Sequence, residues 1–236
     1  MKFKKKYRNY KIKYKNVAFA FDMVLSIGRS CRPAHYLQKY GLKFYTNPLD
    51  WMGGYSLDTV IHLHQTKFDD FFIEFMKDEQ NPCYFFDVRN NIRSTHYEDI
   101  ESNNEIFRKE IRNRFEKTSK KLTNANKICF ISNRDEDIDV LSDFLKEMSN
   151  LYAGKITYIN IRHNEEIDGT ILPVKYKKEK LSKKLELIEY EFNDVYTNAN
   201  VEQYNLNFWK GNICLWDSIV EKISIRKDFL TFINER

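Results

Sequence analysis

An α/β fold, with a central mainly parallel sheet flanked by helices, is the class this sequence predicts. Three stretches carry the prediction. The apolar run "FDMVLSIG" (21–28) ends in glycine and passes at once into a helical pattern. Two further apolar runs, "KICFIS" (127–132) and "KITYINI" (155–161), bracket a helical segment from about residue 138 to 148. Strand, helix and strand at this spacing form a βαβ unit, which requires parallel pairing and a right-handed crossover.

The elements follow in order. After the first strand, with Val24, Leu25 and Ile27 its most buried candidates, a helix is expected from about Arg32 to Tyr40. Pro33 stands in its first turn, where a missing N–H costs nothing, and Gly41 is its stop. Residues 44–56 read as a loop punctuated by Asn47-Pro48 and Gly53-Gly54. Ser56 is a plausible N-cap for the helix opening "LDTVIHLHQ". "CYFFDVR" (83–89) suits a short strand, and "NEIFRKEIRNRFEKTSKKL" (104–122) a helix whose apolar stripe is Ile106, Ile111, Phe115 and Leu122. After the βαβ unit comes a charged segment, about 163–185, and the chain closes with "IEYEFND", "NFWKGNICLW" and a short helix.

The chain has 236 residues, 42% hydrophobic, with 18 Phe, 15 Tyr and 3 Trp, enough to fill a core. With 7 Gly and 4 Pro it suggests neither a disordered chain nor a repeat array. A single α/β domain over 17–236 is expected, behind a basic arm at 1–16. That arm holds eight Lys or Arg and no acid, which leaves 31 bases against 34 acids in the remainder. Its first reading is a solvated terminus; its interleaved aromatics also suit weak contact with an anionic membrane surface. Nucleic acid is not an expected partner, because the arm lacks a folded reader and the body is net acidic. With no apolar run of 18 residues and no signal-peptide pattern, a cytoplasmic protein is expected. Cys31, Cys83, Cys129 and Cys214 are too far apart for metal-ligand spacing, so neither a metal, a cofactor nor a disulfide framework is expected.

Chemistry concentrates at the first strand–helix joint. There a thiol, Cys31, follows Gly28, Arg29 and Ser30, with Arg32 beyond it. Backbone N–H groups and the helix dipole favour an anion at such a joint, and both arginines push the same way. The anion is either the thiolate of Cys31 or a phosphate-bearing ligand cradled by Gly28, Arg29 and Arg32. Gly28 is expected to permit the tight turn. Among the histidines, His96 ranks first as a base, because Glu98 and Asp99 are close enough to orient an imidazole. His35, four residues after Cys31, shares its helix; His62 and His64 read as packing, and His163 has no distinguishing company.

"LSIGRSCRPAHYLQKYGLKFYTNPLDWM" resembles the opening signature of a bacterial family of unknown function described as papain-like cysteine peptidases. Ser26, Gly28, Cys31, Ala34, Leu37, Gly41, Leu42, Pro48, Asp50 and Trp51 carry the resemblance, and "STHYED" is similar to a later S-x-H element through Ser94 and His96. The resemblance implies a cysteine nucleophile at Cys31 with His96 as its base. Asp50 would orient the histidine or bind substrate, or else is a loop carboxylate capping a turn. Gly28, Arg29, Ser30, Arg32 and Trp51 are the expected substrate- or anion-binding residues. The function expected is acyl transfer to water or another acceptor, on an acyl, peptide or glycan substrate. The alternatives are a surface-glycan acyltransferase or esterase, and a non-catalytic module binding an anion at the 28–31 turn.

Overall fold

The computed structural model describes residues 19–43, 46–79, 81, 83–94, 96–97, 100–167, 175–195 and 208–226. The basic arm, Glu98 and Asp99 lie outside the described residues. The elements are β1 (Phe19–Phe21), β2 (Met23–Ser26), α1 (Arg32–Lys39), β3 (Met52–Gly53), α2 (Leu57–Gln65), β4 (Phe75–Lys77), β5 (Phe85–Asp87) and β6 (Ile92–Ser94). They continue with α3 (Asn104–Asn124), β7 (Lys127–Ser132), α4 (Ile138–Leu151), β8 (Lys155–His163), β9 (Lys175–Lys180) and β10 (Leu185–Phe192). A 3-10 turn (Phe208–Lys210), α5 (Ile213–Val220) and β11 (Ile223–Ile225) close the series.

The result is a mixed α/β structure with one mostly parallel sheet, in the order β2-β7-β8-β10-β9. Strands β2, β7, β8 and β10 run parallel, and β9 pairs antiparallel at the edge. Because side chains alternate along a strand, each parallel strand feeds two cores. Met23, Leu25, Ile128, Phe130, Ile156 and Tyr158 join the side packed with α2, α3 and α4. Val24, Cys129, Ile131, Ile159 and Ile161 join the side packed with α1 and α5, where Trp216 is fully buried against the Tyr36 ring. Strands buried on both faces read as continuous apolar runs, which is why "KICFIS" and "KITYINI" are legible.

Two expectations need correction, and the charged segment, which the sequence left unassigned, gains a structure. The first strand is divided at Asp22, whose buried carboxylate accepts the backbone N–H groups of Asn126 (2.7 Å) and Lys127 (2.9 Å). β1 therefore leaves the large sheet and pairs in parallel with β11. The stripe of α3 starts at Phe107 and runs through Ile111, Phe115, Thr118 and Leu122, whereas Ile106 is 60% exposed. The lysine-rich segment "KYKKEK" is a strand: β9 pairs with acidic β10, and Lys178 Nζ lies 3.1 Å from Glu186. Lysines on an edge strand oppose pairing with another chain.

His64 is a core residue of α2, 5% exposed, with Nδ1 2.7 Å from the Tyr152 hydroxyl and its ring against Phe115. Burial lowers its pKa to about 4. An unfolded histidine titrates near 6.5, so its contribution is present above pH ~6.5 and is lost as pH falls towards 4. The loss is roughly 3 kcal/mol at completion. Denaturant unfolding at pH 7, 5.5 and 4.5 will show this decline, and His64→Phe will flatten it. An equally steep decline in the variant contradicts the assignment.

Candidate active site

Beyond β2 the Ile27 N–H donates to the Ile131 carbonyl (3.0 Å), and the chain then turns at Gly28. A Cβ on Gly28 would stand 2.5 Å from Pro33 Cγ and 2.6 Å from Asn133 Oδ1. The need for glycine is therefore space between the first turn of α1 and the end of β7. It is not backbone freedom, since Gly28 does not share the positive φ of Gly41, Gly54 and Gly211. Cys31 is the N-cap of α1 and half-buried.

His96 arrives from a second sheet. β3, β6, β5 and β4 form a small antiparallel sheet in that order, with Met52 opposite Ser94 and Gly53 opposite Arg93. The Gly54 N–H donates to the Arg29 carbonyl (3.3 Å), which ties this sheet to the turn carrying Cys31. His96 stands two positions beyond the end of β6, and its Nε2 lies 3.4 Å from Cys31 Sγ. The Trp51 ring packs edge-on against the imidazole, with centroids 5.3 Å apart. Burial lowers the His96 pKa from 6.5, which keeps the ring neutral at pH 7.

The other described histidines have different company. His35 packs on Trp209 at 4.8 Å, and burial lowers its pKa. His62 Nε2 is 2.5 Å from Asp70, and His163 Nδ1 accepts the Asp194 N–H at 3.0 Å.

Cys31 and His96 open onto a cleft of about 690 Å³. Arg29, Ser30, Arg32 and Trp51 also line it, alongside Tyr84, Phe86, Asn91, Arg93 and Trp209. Trp51 (φ 67°) and Asn91 (φ 54°) are in the left-handed region. Such backbone costs about 1–3 kcal/mol in a non-glycine residue and persists only where its surroundings impose it.

Asp50 supplies that constraint for Trp51. Its buried carboxylate accepts the Asn47 N–H (2.9 Å) and the Ser26 hydroxyl, and Lys43 Nζ stands 2.7 Å away. Lys43 also sits over the Trp51 ring, 5.2 Å from its centroid. Asp50 thus locks the turn preceding Trp51.

The Arg32 guanidinium is also engaged. It pairs with the buried Asp194 carboxylate and donates from Nε to the Trp209 carbonyl (2.7 Å). Asp194 in turn accepts the Trp216 indole N–H and the Asn212 N–H, both at 2.9 Å. Burial raises its pKa, against the opposing pull of Arg32. This hub holds the 3-10 turn that presents Trp209 to the cleft. It also explains Gly211 (φ 62°), where a Cβ would lie 2.2 Å from Asp194 Oδ1.

Sequence reasoning passed over Asn133 and Arg134. Asn133 Nδ2 donates to Ser30 Oγ (3.0 Å). Arg134 is fully buried; its Nε donates to the Ile27 carbonyl (2.9 Å), its Nη1 to the Tyr55 carbonyl (3.1 Å), and Nη1 lies 2.7 Å from Glu136. One guanidinium thereby pins the chain on both flanks of the cleft. The signal was present: residues just past the carboxyl end of a parallel strand gather where ligands bind. The βαβ reading places "SNR" (132–134) at that end.

The family described as "Putative papain-like cysteine peptidase (DUF1796)" matches residues 22–166. No curated protein and no solved structure shows a significant match to the chain. The matched segment runs from β2 through β8 and contains Cys31, Asp50, Trp51 and His96; the Trp209 wall lies beyond it. The chain belongs to this papain-like cysteine peptidase family.

Proposed function

We propose that the protein is a cysteine-dependent acyl-transfer enzyme, with Cys31 as nucleophile at the end of the first strand of the parallel sheet and His96 as its base. The observation that carries this reading is the 3.4 Å approach of Cys31 Sγ to His96 Nε2 at the mouth of a cleft. Neutral His96 accepts the thiol proton at Nε2 as Sγ attacks the acyl carbon. The oxyanion that forms is held by N–H groups at the start of α1, where each good donor is worth about 3–4 kcal/mol. The His96 proton then passes to the leaving group, and a thioester remains on Cys31. Water or another acceptor attacks the thioester, loses its proton to His96, and restores the thiol. Ester, thioester and amide donors all satisfy this sequence.

Asp50 acts in this scheme as a positioning residue. It fixes the turn that sets Trp51, and Trp51 confines the imidazole. The test is incubation with p-nitrophenyl acetate followed by peptide mass analysis. An acetyl group on Cys31, removed by hydroxylamine and missing in His96→Ala, is the expected result. Acetylation no faster at Cys31 than at exposed Cys83 overturns the proposal.

A further inference from the structure

The cleft is built asymmetrically in charge. Among the described residues its lining includes Arg29, Arg32 and Arg93 but no Asp or Glu. These arginines are not equivalent. Arg32 is committed to Asp194 and to the Trp209 carbonyl. Arg93 is exposed but has Asp78 2.7 Å from its Nε. Arg29 is exposed and has no acidic partner among the described residues. Its backbone is fixed nevertheless, because its carbonyl accepts the Gly54 N–H at 3.3 Å. A guanidinium held two residues from the thiol, with no described carboxylate paired to it, is a ready partner for an oxyanion. Among the described residues the same cleft carries the aromatic side chains of Trp51, Tyr84, Phe86 and Trp209. Flat rings of this kind bind flat apolar matter and, together with a cation, select molecules that are apolar along one part and anionic at another.

Resting on the acyl-transfer reading above, we infer that the substrates of this site are anionic acyl compounds. Arg29 holds their carboxylate, sulfate or phosphate, and the aromatic wall holds an adjoining flat apolar group. Arg93 adds to the positive field from the small sheet, and Arg32 acts indirectly by holding Trp209.

Iodoacetate and iodoacetamide test this directly, because they react with the same thiolate and differ in charge. Their rate ratio at one cysteine is therefore independent of how much thiolate is present. At low ionic strength the iodoacetate to iodoacetamide ratio at Cys31 will exceed that at Cys83 by about tenfold or more, the scale of local enrichment in a charged cleft. Added salt will reduce the excess. Arg29→Gln will remove most of it, and Arg93→Gln a smaller part. 1-Naphthoate will protect Cys31 from iodoacetamide at lower concentration than acetate or 1-naphthalenemethanol does. A ratio at Cys31 no higher than at Cys83, or one indifferent to Arg29→Gln, overturns the anionic assignment. Acetate protecting as well as 1-naphthoate overturns the aromatic part. Failure of the acyl-transfer reading is separate: it would appear as an iodoacetamide rate at Cys31 that His96→Ala leaves unchanged.

Discussion

Replacing His96 by Ala will slow acylation of Cys31 by p-nitrophenyl acetate at pH 7 by about 10²–10⁴-fold, the usual worth of a positioned general base. The expectation follows from the 3.4 Å contact and from a ring that burial keeps neutral at that pH. The sign of the pH dependence follows as well. Desolvation lowers the His96 pKa from 6.5, so the imidazole accepts protons down to pH values below 6.5. The acid limb of the wild-type acylation profile will fall below pH 6.5, and in His96→Ala it will move up towards the ordinary thiol value near 8.5. Slowing of less than about threefold, well short of a general base's usual worth, would assign His96 to packing against Trp51.

Arg134→Met will lower stability by about 3 kcal/mol, towards the lower end of the 3–5 kcal/mol seen when one partner of a buried ion pair is removed. The guanidinium is fully buried, while the Glu136 side chain is 22% exposed. Two backbone carbonyls, of Ile27 and Tyr55, also lose their donor, and the Tyr55 ring loses the cation stacked on it at 5.2 Å. Both carbonyls flank the cleft, so the acylation rate will fall in the variant even where it remains folded. Urea unfolding gives the measure: the midpoint drops with the slope preserved. A change below about 1 kcal/mol would mean that hydrophobic replacement compensates for the lost network.

The parallel sheet was legible because strands buried on both faces are apolar throughout, as in "KICFIS", and because the 138–151 helix between two such runs leaves little choice of pairing. The joint at Cys31 was legible for a similar reason: glycine ends a buried run, and Pro33 opens a helix. What sequence withheld was long-range partnership. Strand β3 is two residues long, too short to show a period, yet its pairing with β6 brings His96 to Cys31 across 65 positions. Arg32 looked available to an anion because its partner, Asp194, stands 162 residues away. Ile106 and Phe107 are both apolar neighbours, so the phase of α3 depends on which one its surroundings accept. Asp50 carried a family resemblance but no indication that its contacts are Ser26, Asn47 and Lys43.

The most direct measurement is the rate of Cys31 alkylation by iodoacetamide across pH, in wild type and in His96→Ala. The other thiols provide the baseline: Cys83 is exposed, while burial pushes Cys129 and Cys214 above the ordinary range. The predicted result is a Cys31 midpoint below pH 6.5 that moves towards the ordinary thiol value near 8.5 when His96 is removed. A midpoint near 8.5 in both proteins would contradict the thiol–imidazole couple.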